Sequence, residues 1–340
     1  MRVLLTGATG LLGHHLIAAL GARGATLRAL VLPGEDASHL EAQGVTVFRG
    51  DVCDPNTLTA PLSGAETVFH LAGMMGQWRP LADYMAVNAT GTRDLCKAAL
   101  AAGVRRVVHV SSWTVYGMGL GRPAREDFPL KPFVEPYALT KAAGDRIVQR
   151  YIAERGLPAV IVRPATFFGP GDRLHFGRMA DRLRAGSGLV VGRGQNALPF
   201  VYVSDVVQGL LLAADHERAV GQAYNIGNDW PMTQEAILRA IAAETGAPPP
   251  RLHAPYAALY AAAFAAEQVA ALTRARRQPI VTRLGVKLFG GDNRLAIDKA
   301  RAELGYEPQV PLREGLARTA EWYRREAVEQ ETVAPHIAAA

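Results

Sequence analysis

The chain has 340 residues, 49% apolar and 20% charged, with 37 Lys and Arg against 31 Asp and Glu and a formal net charge of +6. That length holds one large α/β domain plus a smaller one, and the apolar fraction is ordinary for a globular protein. The charge is spread thinly, its densest cluster (Arg274, Arg276 and Arg277) reading as a solvated helix end, so no nucleic-acid partner is expected.

In chain order, Val3, Leu4 and Leu5 form the short apolar run of a strand buried on both faces. Gly7, Gly10 and Gly13 follow three residues apart. From Leu11 the pattern turns helical, with Leu11, Leu12, Leu16 and Leu20 able to share one face. A strand, a glycine turn and a helix point free backbone N–H groups and the positive helix end at a phosphate. Gly7 permits the tight turn, Gly10 the approach of a pyrophosphate, and Gly13 close packing of helix on sheet. Thr9 lies within this loop.

Further strands are expected at 27–32, 45–48, 67–71, 106–110 and 159–162, and helices at 11–22, 81–102 and 137–155. This alternation predicts an α/β fold: a Rossmann doubly wound parallel sheet over residues 1–165, with later segments near 200–228 returning to it. Ligands of such sheets sit at the carboxyl ends of the strands. Asp51, Ala72-Gly73, Ser111-Ser112 and Arg163-Pro164 all fall there. Beyond residue 165 the alternation breaks down. A turn at 169–172, helices at 176–184, 233–245, 256–276 and 312–325, and short strands at 200–203 and 224–226 are expected. Residues 166–330 are read mainly as a smaller C-terminal α+β substrate domain capping the carboxyl edge, and 331–340 as a frayed tail.

The chain shows no run of about 18 apolar residues, so no firm membrane insertion is expected. No signal peptide is expected, because the first residues already read as a strand. Cys53 and Cys96 lack a metal-site spacing and read as reduced thiols in a cytoplasm, with no metal site.

The end of the second strand is where a dinucleotide's ribose is read. Val31 and Leu32 stand there, neither acidic nor basic, and Glu35 and Asp36 come slightly late. The absence of Arg favours NAD and leaves NADP open. Asp51, next to Val52, suits the adenine amino group or simply forms a turn. Leu71, Ala72, Gly73, Val110 and Pro164 complete the expected cofactor edge.

Tyr137 and Lys141 are four apart on the helix opened by Pro136 and share a face. A free phenol, with a pKa near ~10, is a poor base at neutral pH. A nearby ammonium favours the phenolate, and Lys141 could also hold a ribose. Ser112, at the end of the fifth strand, either bonds a substrate oxygen or caps the strand. Asn88 sits inside a helix, where Asn is disfavoured, for a bound water, a backbone contact or a buried kink.

Taken together, Gly7-x-x-Gly10-x-x-Gly13, Asp51-Val52, His70-Leu71-Ala72-Gly73, Asn88-x-x-Gly91-Thr92, Ser111-Ser112-x-x-Val115-Tyr116-Gly117, Tyr137-x-x-x-Lys141 and Arg163-Pro164-x-x-x-x-Gly169-Pro170 resemble the extended short-chain dehydrogenase/reductases. These are also called the NAD-dependent epimerase/dehydratase family. The resemblance covers nearly the whole chain. It implies Tyr137 as acid/base, Lys141 as its activator and ribose ligand, and Ser112 as the substrate hydrogen-bonder.

Departures narrow the expected activity. Trp113 and Thr114 stand where the family's sugar-nucleotide dehydratases carry an Asp-Glu pair, so dehydration is not expected. Leu198 stands where nucleotide-sugar epimerases usually place an Arg for the diphosphate. The C-terminal part looks more like the 3β-hydroxysteroid dehydrogenase-like branch. Met74, Met75, Trp78, Trp113, Thr114, Phe167 and Leu198 are candidate substrate contacts, suited to an apolar molecule or, equally, to core packing. The expected function is an NAD(P)-dependent oxidoreductase interconverting a secondary alcohol and a ketone on a fairly apolar, sterol-like substrate. A cytoplasmic homodimer is expected. The rivals are a nucleotide-sugar 4-epimerase, a non-catalytic dinucleotide-sensing regulator, and attachment to a membrane surface through 256–272.

Overall fold

A computed structural model describes residues 1–273, 275 and 278–337. The cluster Arg274, Arg276 and Arg277 lies outside the described residues. In chain order the elements are β1 (Arg2–Thr6), α1 (Leu11–Ala22), β2 (Thr26–Val31), α2 (Ser38–Glu41), β3 (Thr46–Arg49), α3 (Thr59–Leu62), β4 (Thr67–His70), α4 (Leu81–Met85) and α5 (Thr92–Ala101). Then come β5 (Arg106–Val110), α6 (Pro136–Arg155), β6 (Ala159–Pro164), β7 (Thr166–Phe168), α7 (Arg178–Arg184), β8 (Leu189–Val191), β9 (Phe200–Tyr202), α8 (Val203–Asp215) and β10 (Ala223–Ile226). The remainder is α9 (Gln234–Thr245), β11 (Leu252–Ala254), α10 (Tyr256–Leu272), α11 (Arg283–Gly290), α12 (Asp298–Leu304) and α13 (Leu312–Ile337).

The chain divides into two compact units, the first comprising Met1–Ala165, Val203–Asp229 and Leu295–Glu307. Its seven-stranded sheet has the order β10-β6-β5-β4-β1-β2-β3. Every neighbouring pair is parallel. The chain reverses its direction of winding between β1 and β4, the place where a doubly wound sheet binds its ligand. The strands are apolar on both faces, as in the fully buried run of Val68 and Phe69. Leu4, Leu30, Val68, Val107 and Ile161 from five strands pack with Leu95, Cys96 and Val148 of α5 and α6.

The α6 start is encoded locally. Glu135 caps it by accepting from the Ala138 N–H at 3.1 Å, and Pro136 occupies the first turn. Gly156, at φ 63°, ends it in the left-handed conformation. The single helix expected over 81–102 is instead α4, a π-helical stretch over Ala86–Gly91, and α5. Close packing accompanies the interruption, since a Cβ on Gly144 of α6 would lie 2.3 Å from the Asn88 carbonyl oxygen.

The second unit comprises Thr166–Tyr202, Trp230–Arg294 and the described chain from Pro308 on. Two parallel pairs, β7 with β9 and β8 with β11, accompany α7, α9, α10, α11 and α13. Phe168, Phe176, Leu183, Val190, Phe200, Ile241 and Leu316 form its core. The division between the two units is discontinuous. β10 joins the central sheet beside β6, and α8 and α12 stay with it, while the strand expected at 200–203 pairs with β7 in the second unit. Parallel pairing needs crossovers, and these crossovers carry the chain out of one unit and back. The final helix continues to Ile337, through residues expected to fray from 331. Among the described residues, no helix is long and apolar enough to cross a membrane.

Candidate active site

The three glycines of the first turn have different physical roles. Gly7 has φ 72°, and a Cβ there would lie 2.7 Å from the Ala72 nitrogen. A Cβ on Gly13 would lie 2.4 Å from the Ala8 carbonyl oxygen. The fold itself demands both. At Gly10 a Cβ would meet nothing closer than the Gly7 oxygen at 3.4 Å, so the protein's own packing leaves room there. Gly10 caps α1 without a side-chain hydrogen bond, and the first-turn N–H groups of Leu11, Leu12 and Gly13 have no intrahelical acceptor. Open space before bare N–H groups and a positive helix end fits a pyrophosphate. Gly10→Ala is expected to keep the melting temperature near that of the parent and weaken dinucleotide binding by about tenfold or more. Gly13→Ala is expected to lower the melting temperature as well. Calorimetry and thermal melts on both variants decide it, and undiminished affinity in Gly10→Ala would overturn this assignment.

At the end of β2, Val31 is buried in the core, so its side chain cannot read a ribose; Leu32 is exposed. The Glu35 carboxylate, expected to stand too late, accepts from the Thr9 hydroxyl at 2.7 Å and so reaches the glycine loop. Arg49, unnoticed in the sequence, donates to the carbonyls of Glu35 and Leu32 from the end of β3. An acid and a cation thus both meet the loop that would face the ribose. NAD is expected to bind more tightly than NADP by a modest factor, and Glu35→Ala to shrink that factor, on titrating both dinucleotides. Tighter NADP binding by the parent would assign Arg49 to the 2′-phosphate.

Asp51 uses Oδ1 to accept the Cys53 N–H at 2.9 Å, so it forms the turn in any case. Val52 is buried beside Gly91. The Ala72 N–H donates to Thr6 Oγ1 at 3.2 Å, which fixes the chain from Leu71 to Gly73 as it leaves β4. A Cβ on Gly73 would lie 3.2 Å from Asn88 Oδ1 and 3.6 Å from Lys141 Nζ. Pro164 ends β6, buried and opposite Ile226.

Three residues expected to do chemistry come together at the end of β5. Ser112 and Tyr137 are joined by a side-chain hydrogen bond. Ser112 Oγ also accepts from the Thr114 N–H at 3.2 Å and shares a hydrogen bond with Thr114 Oγ1 at 2.9 Å, so it caps the turn that follows the strand. Lys141, 5% exposed, donates from Nζ to the Val110 carbonyl at 2.6 Å. Burial pushes the Tyr137 phenol up to about 12, against the Ser112 hydrogen bond. Burial pulls the Lys141 ammonium down to about 8, with Asp145 opposing. Asn88 accepts from the Met74 N–H at 2.8 Å and donates to the Met74 carbonyl and to Thr140 Oγ1, at 3.1 and 3.0 Å. It is thus the backbone contact foreseen as one of its roles, tying the segment after β4 to α6.

Of the other substrate candidates, Met74, Met75, Trp78 and Phe167 are half-buried, while Trp113 and Thr114 are buried. Leu198 is 3% exposed within the second unit's core, with its N–H donated to the Met232 carbonyl. Its apolar character therefore serves packing, a correction to its reading as a substrate contact. Arg173 pairs with Glu326 at 2.5 Å, and Arg178 and Arg193 are exposed. Burial raises the Cys53 thiol to about 11 and the Cys96 thiol to about 12, leaving both unreactive near neutral pH. Among the described residues, no cluster of His, Cys, Asp or Glu is arranged to hold a metal.

A parallel doubly wound sheet, a glycine turn shaped for a pyrophosphate and a Ser-Tyr-Lys set at the strand ends define a nicotinamide-dependent oxidoreductase. The chain belongs to the NAD dependent epimerase/dehydratase family, which it matches over residues 3–227. It is 31% identical to the 2-alkyl-3-oxoalkanoate reductase of Stenotrophomonas maltophilia, over 94% of this chain and 98% of that one. It is 33% identical to sterol demethylase protein B of Methylococcus capsulatus, over 95% and 98%. Among solved structures, MoeE5 in complex with UDP-glucose and NAD superposes with a TM-score of 0.75 at 28% identity, covering 96% of this chain and 100% of that one.

Proposed function

We propose that the protein interconverts a secondary alcohol and a ketone on a fairly apolar, sterol-like small molecule. The observation carrying this reading is the Ser112–Tyr137 hydrogen bond, one turn from Lys141, at the carboxyl end of β5. Gly7, Gly10 and Gly13 would hold the cofactor's pyrophosphate and Lys141 its nicotinamide ribose. When bound, NAD supplies the hydride acceptor or donor. Ser112 orients the substrate oxygen. Tyr137 keeps its proton at neutral pH, because burial disfavours the phenolate. It is therefore ready to donate to a carbonyl oxygen during reduction. In the reverse direction the Lys141 ammonium stabilises the phenolate that must form.

The names of the two relatives, an oxoalkanoate reductase and a sterol demethylase protein, support an apolar substrate. A diphosphate needs compensating charge, which a bidentate Arg provides well, and residue 198 is Leu. UDP and UDP-sugars are therefore expected to bind weakly. Apolar secondary alcohols are expected to raise the melting temperature when NAD is present, since a ligand of the folded state stabilises it. Micromolar binding of a UDP-sugar, lost on substituting Arg173, Arg178 or Arg193, would overturn this reading in favour of a 4-epimerase. A non-catalytic regulator has no need of the Tyr137–Lys141 pair, and cofactor reduction with a panel of sterols and other hydroxy compounds separates it from an enzyme. Free thiols at Cys53 and Cys96 are in keeping with a cytoplasmic setting.

A further inference from the structure

The end of β5 is gripped by α6 at three consecutive residues. Lys141 Nζ donates to the Val110 carbonyl at 2.6 Å. Ser111 Oγ donates to Asp145 Oδ2 at 2.6 Å. Ser112 bonds Tyr137 through its side chain. Tyr137, Lys141 and Asp145 are spaced by four, so one helix face supplies all three partners. The Ser111–Asp145 link is itself anchored. Arg163 of β6 forks onto Asp145, Nε to Oδ2 at 2.8 Å and Nη2 to Oδ1 at 2.9 Å, with both side chains essentially solvent-free. Gln149 gives the same carboxylate a fourth donor at 2.7 Å. The remaining guanidinium nitrogen donates to Tyr116 Oη at 2.8 Å and to the Glu126 carbonyl at 3.2 Å. The Tyr116 hydroxyl donates to Asn225 Oδ1 at 2.7 Å, which brings β10 into the network.

We infer that Asp145, clamped by Arg163, is a positioning residue: it sets α6 against the end of β5 so that Tyr137 meets Ser112, and it supplies the carboxylate that faces the Lys141 ammonium. The inference rests on the proposed roles of Tyr137 and Lys141 but concerns a residue that touches neither cofactor nor substrate. A buried Arg–carboxylate pair contributes little net stability over apolar residues of the same shape, so its use here is specific placement and charge. The groups facing Lys141 are Asp145 on its own helix, His70 from β4 and His109 from β5. Burial keeps both histidines neutral. Asp145 is then the one anion in the set, and it opposes the burial that draws Lys141 down to about 8. Without it, the Arg163 guanidinium would also stand uncompensated.

The test titrates lysine directly, in the protein free of cofactor. The chain has only five lysines, Lys97, Lys131, Lys141, Lys287 and Lys299, so the ¹³Cε resonance of Lys141 is assigned by its loss in Lys141→Met. In the parent it is expected to titrate near 8. In Asp145→Asn it is expected to move lower by about one unit or more, and Asp145→Glu is expected to restore it. The single Asn variant leaves Arg163 buried and unpaired, so the double variant Asp145→Asn/Arg163→Met is measured too. Its expected result is a melting temperature above that of Asp145→Asn, with a depressed Lys141 titration retained. Turnover of the same variants is expected to fall at alkaline pH first, with NAD binding nearly unchanged. An unaltered Lys141 titration in Asp145→Asn, or in the double variant where the single one does not fold, overturns the inference. Its failure is distinct from failure of the functional reading, because an active Tyr137→Phe variant would refute the latter and leave the titration standing.

Discussion

Tyr137→Phe is expected to lower kcat by ~10² or more, the usual scale for a lost general acid–base, while dinucleotide affinity stays nearly unchanged. The substitution removes one oxygen from a side chain that otherwise fills the same space. The Ser112 hydroxyl keeps its hydrogen bond to Thr114 at 2.9 Å, so the turn after β5 is not expected to unravel. Lys141 keeps the Val110 carbonyl, and the glycine turn, on a different strand, is untouched. The loss should therefore appear in turnover and not in binding or melting temperature. Steady-state kinetics on an accepted alcohol, with calorimetry of NAD binding, separates the two. Turnover near that of the parent would refute Tyr137 as the acid/base and reopen the regulator reading.

Much of this site is legible in the sequence because its parts are local. Gly7, Gly10 and Gly13 lie within seven residues, and Tyr137 and Lys141 lie one helical turn apart, so spacing alone places them. Strands such as β4 and β5 are located to within about a residue, since both faces are buried and the apolar run ends where burial ends. The parts that stayed hidden depend on register between distant segments. Arg49 reaches the ribose-facing loop because β3 sets it opposite Val31, and neither residue suggests the other. The Asp145–Arg163 pair joins α6 to β6 across 18 residues. Leu198 shows the converse difficulty, because an apolar side chain suits a core and a pocket equally, and only its neighbours Phe168, Phe200 and Ile241 decide between them. Likewise, a return of segments near 200–228 to the sheet is expected, yet only strand pairing sends β10 to β6 and β9 to β7.

Acidification is expected to destabilise the protein steeply between about pH 6.5 and 5, because two histidines are locked neutral inside the sheet. His70 is buried between Thr6 Oγ1 at 2.8 Å and Thr92 Oγ1 at 3.0 Å, and burial, then Lys141, pull it down to about 3. His109, its ring 5.3 Å away, has both nitrogens buried with no hydrogen-bond partner, and burial first, then Lys141, His70 and Arg163, hold it well below the ordinary range. In the unfolded chain both would titrate near ~6.5. Below that value the unfolded state binds protons that the folded state refuses, so stability falls as pH falls, until the folded-state values are reached. At pH 5 each histidine costs about 2 kcal/mol relative to pH 7.5, hence about 4 kcal/mol for the pair, a large share of a typical ~5–15 kcal/mol. Glu126, raised by burial, works in the opposite direction and offsets part of the loss. His109→Leu supplies the control. It removes two unsatisfied nitrogens from the core, so it is expected not to weaken the protein at pH 7.5 and to recover about half of the loss at pH 5. Urea denaturation of the parent and of His109→Leu at half-unit steps from pH 7.5 to 5.0 measures both quantities, and equal slopes with pH in the two proteins would show that His109 takes up its proton in the folded state after all.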